Sequence, residues 1–220
     1  MDDNDLKIVQ GLKPHLGETP FIFDIGANRG NYTDFVLTLF PDAKMLLVEP
    51  NEMWQSELAR KYSDNKNITL LYLLVGSKKQ DAKFYYFTNH NDQISSIYRR
   101  PVFLGLPMKE SVKPMTTVDA IMEFFAFGEV DFIKVDTEGA EFDVLKGAIK
   151  SLASKKIKFI QIEYGGTYPD AGITMRDVIS FVNSLGYHAY SYNGSFTELD
   201  RETFVEDFHY DNYLISKIAL

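Results

Sequence analysis

Two stretches of this 220-residue chain carry residue types at spacings that could do chemistry. The first is Asp24-Ile-Gly26-Ala27-Asn28-Arg29-Gly30, with Glu49 following 25 residues after Asp24. Glycines at 26 and 30 let the backbone turn tightly and approach a ligand. The second is Ile133-Lys134-Val135-Asp136-Thr137-Glu138-Gly139-Ala140-Glu141, with Gln161 and Glu163 further along. Charged groups alternating with apolar ones along a strand share one face, where they can move a proton or hold a polar substrate.

A dinucleotide site wants G-x-G-x-x-G, whose middle glycine makes room for a pyrophosphate. Here Asn28 stands in the middle place and the third glycine is absent. Asp24 would set a carboxylate beside the phosphates. No Gly-Lys-Ser/Thr follows, which excludes a P-loop. A cofactor with a positive charge and no phosphates fits better, and S-adenosylmethionine has both properties. Glu49, ending the second β-rich run, could accept hydrogen bonds from both ribose hydroxyls. A solvated cap is the alternative reading of Glu49.

These residues need a scaffold, and the chain alternates β-rich runs with helical periods. Residues 21–23, 45–48, 68–75, 132–135 and 158–162 read as strands. A short extra strand is predicted at 83–87 and two closing strands at 187–192 and 212–215. Helices are predicted over 31–40, 51–62, 117–125, 139–153 and 173–185, with Asn51 as an N-cap and Gly186 closing the last. Leu145, Ala148, Ile149 and Leu152 fall on one apolar stripe. Residues 88–114 read as a long substrate or lid loop, and 1–18 as a solvated tail or short helix. The expectation is one domain over residues 1–220, an α/β Rossmann-like, doubly wound, mostly parallel sheet with helices on both faces. Ligands in such folds sit beyond the carboxyl ends of the strands.

Lys134 and Asp136 share one face of the fourth strand, and Gln161 and Glu163 one face of the fifth. Unpaired buried charge is costly, so these four are expected to satisfy one another. Two readings fit: a structural ion-pair network, or a substrate-facing cluster with a carboxylate near the acceptor. For transfer to an alcohol, Asp136 is the first candidate base and Glu163 the second, with Lys134 beside them. Of the histidines, His90 in the irregular loop is the one worth testing. Asp136 and Glu163 could offer oxygens to a divalent cation, but no compact ligand motif accompanies them, and no metal is expected. Trp54, Tyr164 and Tyr168 are expected near the site's edges.

The loop from Asp24 to Gly30 resembles motif I of class I methyltransferases. The run from Ile133 to Glu141, continuing to Leu145-Lys146-Gly147-Ala148, resembles the signature of FkbM-type methyltransferases, and Thr117-Val-Asp119 resembles that family's Thr-Leu-Asp element. The resemblance covers about residues 21–163. It implies a seven-stranded sheet whose last strand is antiparallel, and O-methylation of sugars or natural products. Carried over, Asp24, Gly26, Ala27, Asn28 and Gly30 would line the methionine part of S-adenosylmethionine, and Glu49 would hold the ribose. Gly76 and Ser77, after the third strand, would lie by the adenine, where relatives often carry an acidic residue. Ser95 and Ser96 resemble a serine pair seen in the family; two ordinary loop serines are the alternative.

Composition narrows the partners. With 31 acidic and 23 basic residues the net charge is −8, poorly suited to a phosphate backbone, so no nucleic-acid partner is expected. There is no cysteine, which removes disulfides and thiolate chemistry and is compatible with a cytoplasmic location. No apolar run approaches the ~20 residues that span a bilayer, and no secretory leader is expected at the acidic start. The expected acceptor is a glycan or other small hydroxylated molecule. Two further classes stay open: a nucleotide-sugar or dinucleotide enzyme with a variant Rossmann loop, and a non-catalytic module that keeps the fold.

Overall fold

The computed structural model describes residues 3–87, 94–99 and 108–220, with side chains from residue 6 onward. Helix α1 (Asp3–Gly11) leads to β1 (Phe21–Ile25), α2 (Asn31–Leu39), β2 (Lys44–Val48), α3 (Glu52–Lys61) and β3 (Ile68–Leu71). Then come β4 (Leu74–Val75), β5 (Gln80–Phe87), β6 (Met108–Thr116), α4 (Val118–Phe124) and β7 (Val130–Val135). The last part holds α5 (Glu141–Lys146), α6 (Ile149–Ala153), β8 (Ile157–Tyr164), α7 (Tyr168–Ala171) and α8 (Met175–Ser184). It closes with β9 (His188–Tyr192), β10 (Phe196–Glu198) and β11 (Asp211–Ser216).

The large sheet runs β10-β9-β11-β8-β7-β1-β2-β3. Strands β8, β7, β1, β2 and β3 pair in parallel, and β11 is inserted antiparallel between β8 and β9. The doubly wound expectation and its antiparallel last strand therefore hold. The sheet has eight strands rather than seven, because β10 adds a short edge beside β9. Period-two alternation gives each strand two apolar faces. Phe23, Ile25, Ile133, Val135 and Ile160 join the core on one face, and Ile22, Phe132, Phe159 and Leu214 the core on the other. Among the described residues, no helix is long and apolar enough to cross a membrane.

Several boundaries depart from expectation for physical reasons. Of the two readings near the start, the short helix is the one seen: α1 buries Ile8 and Val9 and packs on β11 and α2. The expected strand over 68–75 divides into β3, in the large sheet, and β4, in a separate sheet ordered β4-β6-β5. Strand β6 lies where an irregular loop was expected. Its sequence is polar and holds Pro114, yet β4 covers only Met115 and Thr116, so Pro114 faces a neighbour on one side alone. Residues 94–99 of the expected lid are also described, while 88–93, with His90, and 100–107 lie outside the described residues.

The helix expected over 139–153 is broken into α5 and α6. A Cβ on Gly147 would stand 2.1 Å from the Gly76 carbonyl oxygen, so the chain passes too close there for any larger residue. Asp119 then restarts the helix. Its carboxylate accepts from the backbone N–H of Lys150 and of Ser151, both at 2.9 Å, and from the Ser151 hydroxyl. The apolar stripe is interrupted accordingly: Leu145, Ala148 and Leu152 are buried, but Ile149 is 46% exposed. Elsewhere local signals hold. Asn51 accepts from Met53 N–H at the start of α3. Thr174 and Asp177 form a capping box on α8, and Gly186 ends that helix at φ 69°. Replacing Asp119 with alanine should cost about 1–2 kcal/mol of stability, as loss of a helix cap does. Denaturant unfolding checks this, and an unchanged midpoint would mean α6 does not depend on the carboxylate.

Candidate functional site

A cavity of about 250 Å³ opens beyond the carboxyl ends of β1, β2, β7 and β8. Its wall brings both sequence stretches together. Gly26, Ala27, Asn28 and Glu49 line one side, and Lys134, Asp136, Glu138 and Glu163 the other. Ser95, Ser96 and Ile97 with Phe84 close it from the small sheet.

The glycine loop is shaped by close approach. Gly26 has φ 88°, and a Cβ there would stand 1.8 Å from the Asp136 carbonyl oxygen. Only glycine lets the end of β1 lie against the end of β7. Asn28 takes a left-handed φ of 47°, a conformation asparagine tolerates better than most residues. Its N–H donates to Glu49 Oε2 at 2.7 Å, and Asn51 N–H donates to Oε1 at 2.7 Å. Glu49 thus ties the glycine loop to the start of α3. Burial pushes its carboxyl up to about 7, against the two backbone donors that favour the ionised form.

Beneath the cavity runs a polar row. Asp24, Lys134 and Gln161 stand opposite one another across β1, β7 and β8. The first turn of α2 covers them. Thr33 donates to Asp24 Oδ2 at 2.7 Å, and Tyr32 donates to Gln161 Oε1 at 3.1 Å. Lys134 Nζ lies 5.4 Å from the Tyr32 ring centroid. The ammonium reaches Asp136 Oδ2 at 2.8 Å and Asp24 Oδ1 at 3.9 Å. Asp24 is fully buried, and desolvation raises its pKa against the pull of Lys134.

The expected cluster of four is therefore wider than its sequence reading. Lys134 pairs with Asp136, while Gln161 bonds to Tyr32 and donates to Asn212 Oδ1 at 2.8 Å. Glu163 turns to the cavity instead. Asp136, Glu138 and Glu163 offer carboxylate oxygens within 4.8 Å of one another. Burial first, then repulsion from Asp136, Glu138 and Glu141, raises the Glu163 pKa well above the carboxylate range. Such a group can share a proton, and its oxygens are of the type that hard cations accept.

Four of the expected cofactor residues are not in the wall. Asp24 lies under it. Gly30, at φ 75°, caps α2 and accepts from the Tyr62 hydroxyl at 2.8 Å. Gly76 packs beneath the Met115 side chain, and Ser77 is exposed. Leu73, Leu74 and Val75 form the wall there, one step earlier in the chain. Tyr164 and Tyr168 are core residues rather than site edges. Trp54 is buried, with Arg29 of the cavity wall stacked on its ring at 4.4 Å. Phe84, Ile97, Tyr32 and Thr137 line the cavity unforeseen. The short strand expected at 83–87 was the one signal that could have found Phe84.

The family described as the methyltransferase FkbM domain matches residues 24–189. A methyltransferase of Sordaria araneosa, sdnD, is 27% identical over 160 residues, covering 60% of this chain and 62% of that protein. Methyltransferase FkbM from Methylobacillus flagellatus KT matches with a TM-score of 0.57 at 18% identity, over 90% of this chain and 44% of its own. An rRNA methylase from Streptococcus thermophilus matches at 0.53 and 12% identity, over 100% of this chain and 99% of that one. A putative methyltransferase from Streptococcus mutans, in complex with SAH, matches at 0.50 and 13% identity, over 99% and 100%. These structural likenesses are of fold. The chain spans 62% of the curated relative's length and 44% of the M. flagellatus protein's.

The raised Glu49 carboxyl gives a pH test. Between its unfolded value near 4.5 and its folded value near 7, the folded state binds more protons than the unfolded state. Stability contributed by this group is therefore full below the window and lost as pH rises through it. Glu49→Gln should flatten that fall, recovering up to about 3 kcal/mol between pH 5 and pH 8 relative to wild type. Denaturant melts at the two pH values check it; parallel slopes would place the Glu49 pKa at its ordinary value.

Proposed function

The chain belongs to the FkbM methyltransferase domain family, and from that premise we propose that it moves the methyl group of S-adenosylmethionine onto a hydroxyl of a sugar, glycan or other small metabolite. Residues 1–220 act as one catalytic domain in this reading. The observation that carries it is the single cavity joining Glu49 and the glycine loop to the carboxylates of Asp136 and Glu163. One end suits a ribose and a sulfonium without phosphates; the other offers proton acceptors.

When bound, the cofactor supplies an electrophilic methyl group. The residues of this chain do the rest. Glu49 keeps lone pairs on both oxygens beyond its two backbone bonds, and these would accept from the ribose hydroxyls. Ala27 and Asn28 shape the wall beside the methionine part, with Gly26 holding the loop against Asp136. Ser96 and Ile97 close the cavity from above. Asp136 would take the proton of the acceptor's hydroxyl as that hydroxyl is methylated. The proton would then rest on the Asp136 carboxyl. Lys134 orients Asp136 through its 2.8 Å contact. Glu163 is positioned to bind the acceptor or share the proton. A net charge of −8 favours a small acceptor over a nucleic acid.

Methyl transfer from labelled S-adenosylmethionine to a panel of sugars and other hydroxylated compounds tests this reading. Asp136→Asn should lower turnover by at least about 100-fold, the usual contribution of a general base, with affinity for S-adenosylhomocysteine within a few-fold. Unchanged turnover would remove Asp136 as the base. Glu49→Ala should weaken S-adenosylhomocysteine binding by about tenfold or more, as loss of hydrogen bonds to a charged acceptor does. An unchanged affinity would sink the ribose assignment.

A further inference from the structure

Glu141 belongs to the signature stretch, is fully buried, and is not part of the cavity wall. Its side chain turns back from the start of α5 into the preceding turn. Oε1 accepts from Thr137 N–H at 2.7 Å and from the Thr137 hydroxyl at 3.0 Å. Gly139 N–H donates to Oε2 at 3.0 Å and reaches Oε1 at 3.3 Å. In this turn Glu138 takes φ 55° and Gly139 φ 106°. A left-handed conformation costs a residue with a Cβ about 1–2 kcal/mol and persists only where its surroundings hold it.

The turn in turn holds the cavity wall. With Glu138 in this conformation, its carbonyl accepts from the Ser96 hydroxyl at 2.8 Å. Ser96 pairs with Tyr85 of β5 through two backbone bonds, and Tyr98 N–H donates back to Ser96 Oγ at 3.1 Å. The Tyr98 hydroxyl reaches Asp143 of α5 at 2.7 Å. Glu141 thus holds Thr137 and Gly139 by hydrogen bonds, and the Glu138 carbonyl between them holds Ser96. Asp136 and Glu138, on the same turn, face Glu163 within the cavity.

We propose that Glu141 is a positioning residue: by accepting the amides of the turn from Asp136 to Gly139, it aims the acceptor-side carboxylates and fixes the carbonyl on which the Ser96 wall is latched. It touches neither substrate nor cofactor and acts only through that turn. Burial pushes the Glu141 carboxyl up to about 7, so the fold keeps an acid here against a desolvation cost. The proposal rests on the methyltransferase reading only for what the cavity holds.

Hydrogen exchange by mass spectrometry on the full chain, without cofactor, tests it on Glu141→Ala and Glu141→Gln. In Glu141→Ala, exchange over residues 136–140 and 94–98 should accelerate about tenfold or more, the change that follows loss of about 1.4 kcal/mol of local stability. Peptides of β2 and α2 should keep wild-type rates. Glu141→Gln keeps an oxygen for Thr137 but sets an amide group against Gly139 N–H, so it should give a smaller acceleration in the same two segments. Wild-type rates at 94–98 in both variants would overturn the proposal, since the wall would then be held without the turn. Acceleration spread over the whole sheet would also overturn it, leaving Glu141 a general core group. If Glu141→Ala does not fold, Thr137→Val removes one donor to the carboxylate and reads the same segments. Failure of the wild-type chain to bind S-adenosylhomocysteine would remove the functional reading alone, leaving this comparison intact.

Discussion

A lysine ammonium lies at the carboxyl end of the parallel sheet, and three strand ends are arranged around it. Lys134 is 6% exposed and stands between the fully buried Asp24 and the cavity-facing Asp136. Removing one partner of a buried ion pair costs about 3–5 kcal/mol, because the other charge is left uncompensated. That penalty couples three places. Asp24 starts the glycine loop, Lys134 occupies the central strand β7, and Asp136 begins the turn that enters α5. The first turn of α2 completes the arrangement through Thr33 and Tyr32.

Two carboxylates carry the coupling outward, each holding backbone amides. Glu49 ties Asn28 to Asn51, and so the glycine loop to the start of α3. Glu141 ties Thr137 to Gly139, and so the end of β7 to the start of α5. Gly26 lets these two constructions touch, since the Asp136 carbonyl occupies the place a side chain would need. The cavity is the space left between them, closed by Ser96, which bridges to Tyr85 of the small sheet and is latched to the Glu138 carbonyl.

Much of this was legible because it is local. Short apolar, β-rich runs marked β1, β2, β7 and β8; Asn51 and Gly186 marked helix ends by their own conformational preferences. The cavity residues Gly26, Asn28 and Glu49 were found from their places after predicted strands, and Lys134, Asp136 and Glu163 from the strand faces they share. What escaped depends on register and on long-range approach. Nothing near Asp24 says that it stands opposite Lys134, or that Gln161 turns to Tyr32 and Asn212. The break after Lys146 comes from Gly76 and Asp119, distant in sequence. Strand β6 was hidden by its polar residues and Pro114, which an uncovered side of a small sheet tolerates. Gly76 and Ser77 stand just past the wall, because the chain leaves the large sheet after Leu71 and the wall falls on Leu73 to Val75.

The proposed function depends on a cavity built for a cofactor without phosphates. Calorimetric titration of the purified chain with S-adenosylhomocysteine, and in parallel with NAD, tests that directly. Saturable binding of S-adenosylhomocysteine with no heat from NAD is the predicted result. Binding of NAD with none of S-adenosylhomocysteine would contradict the account and return the glycine loop to a dinucleotide site.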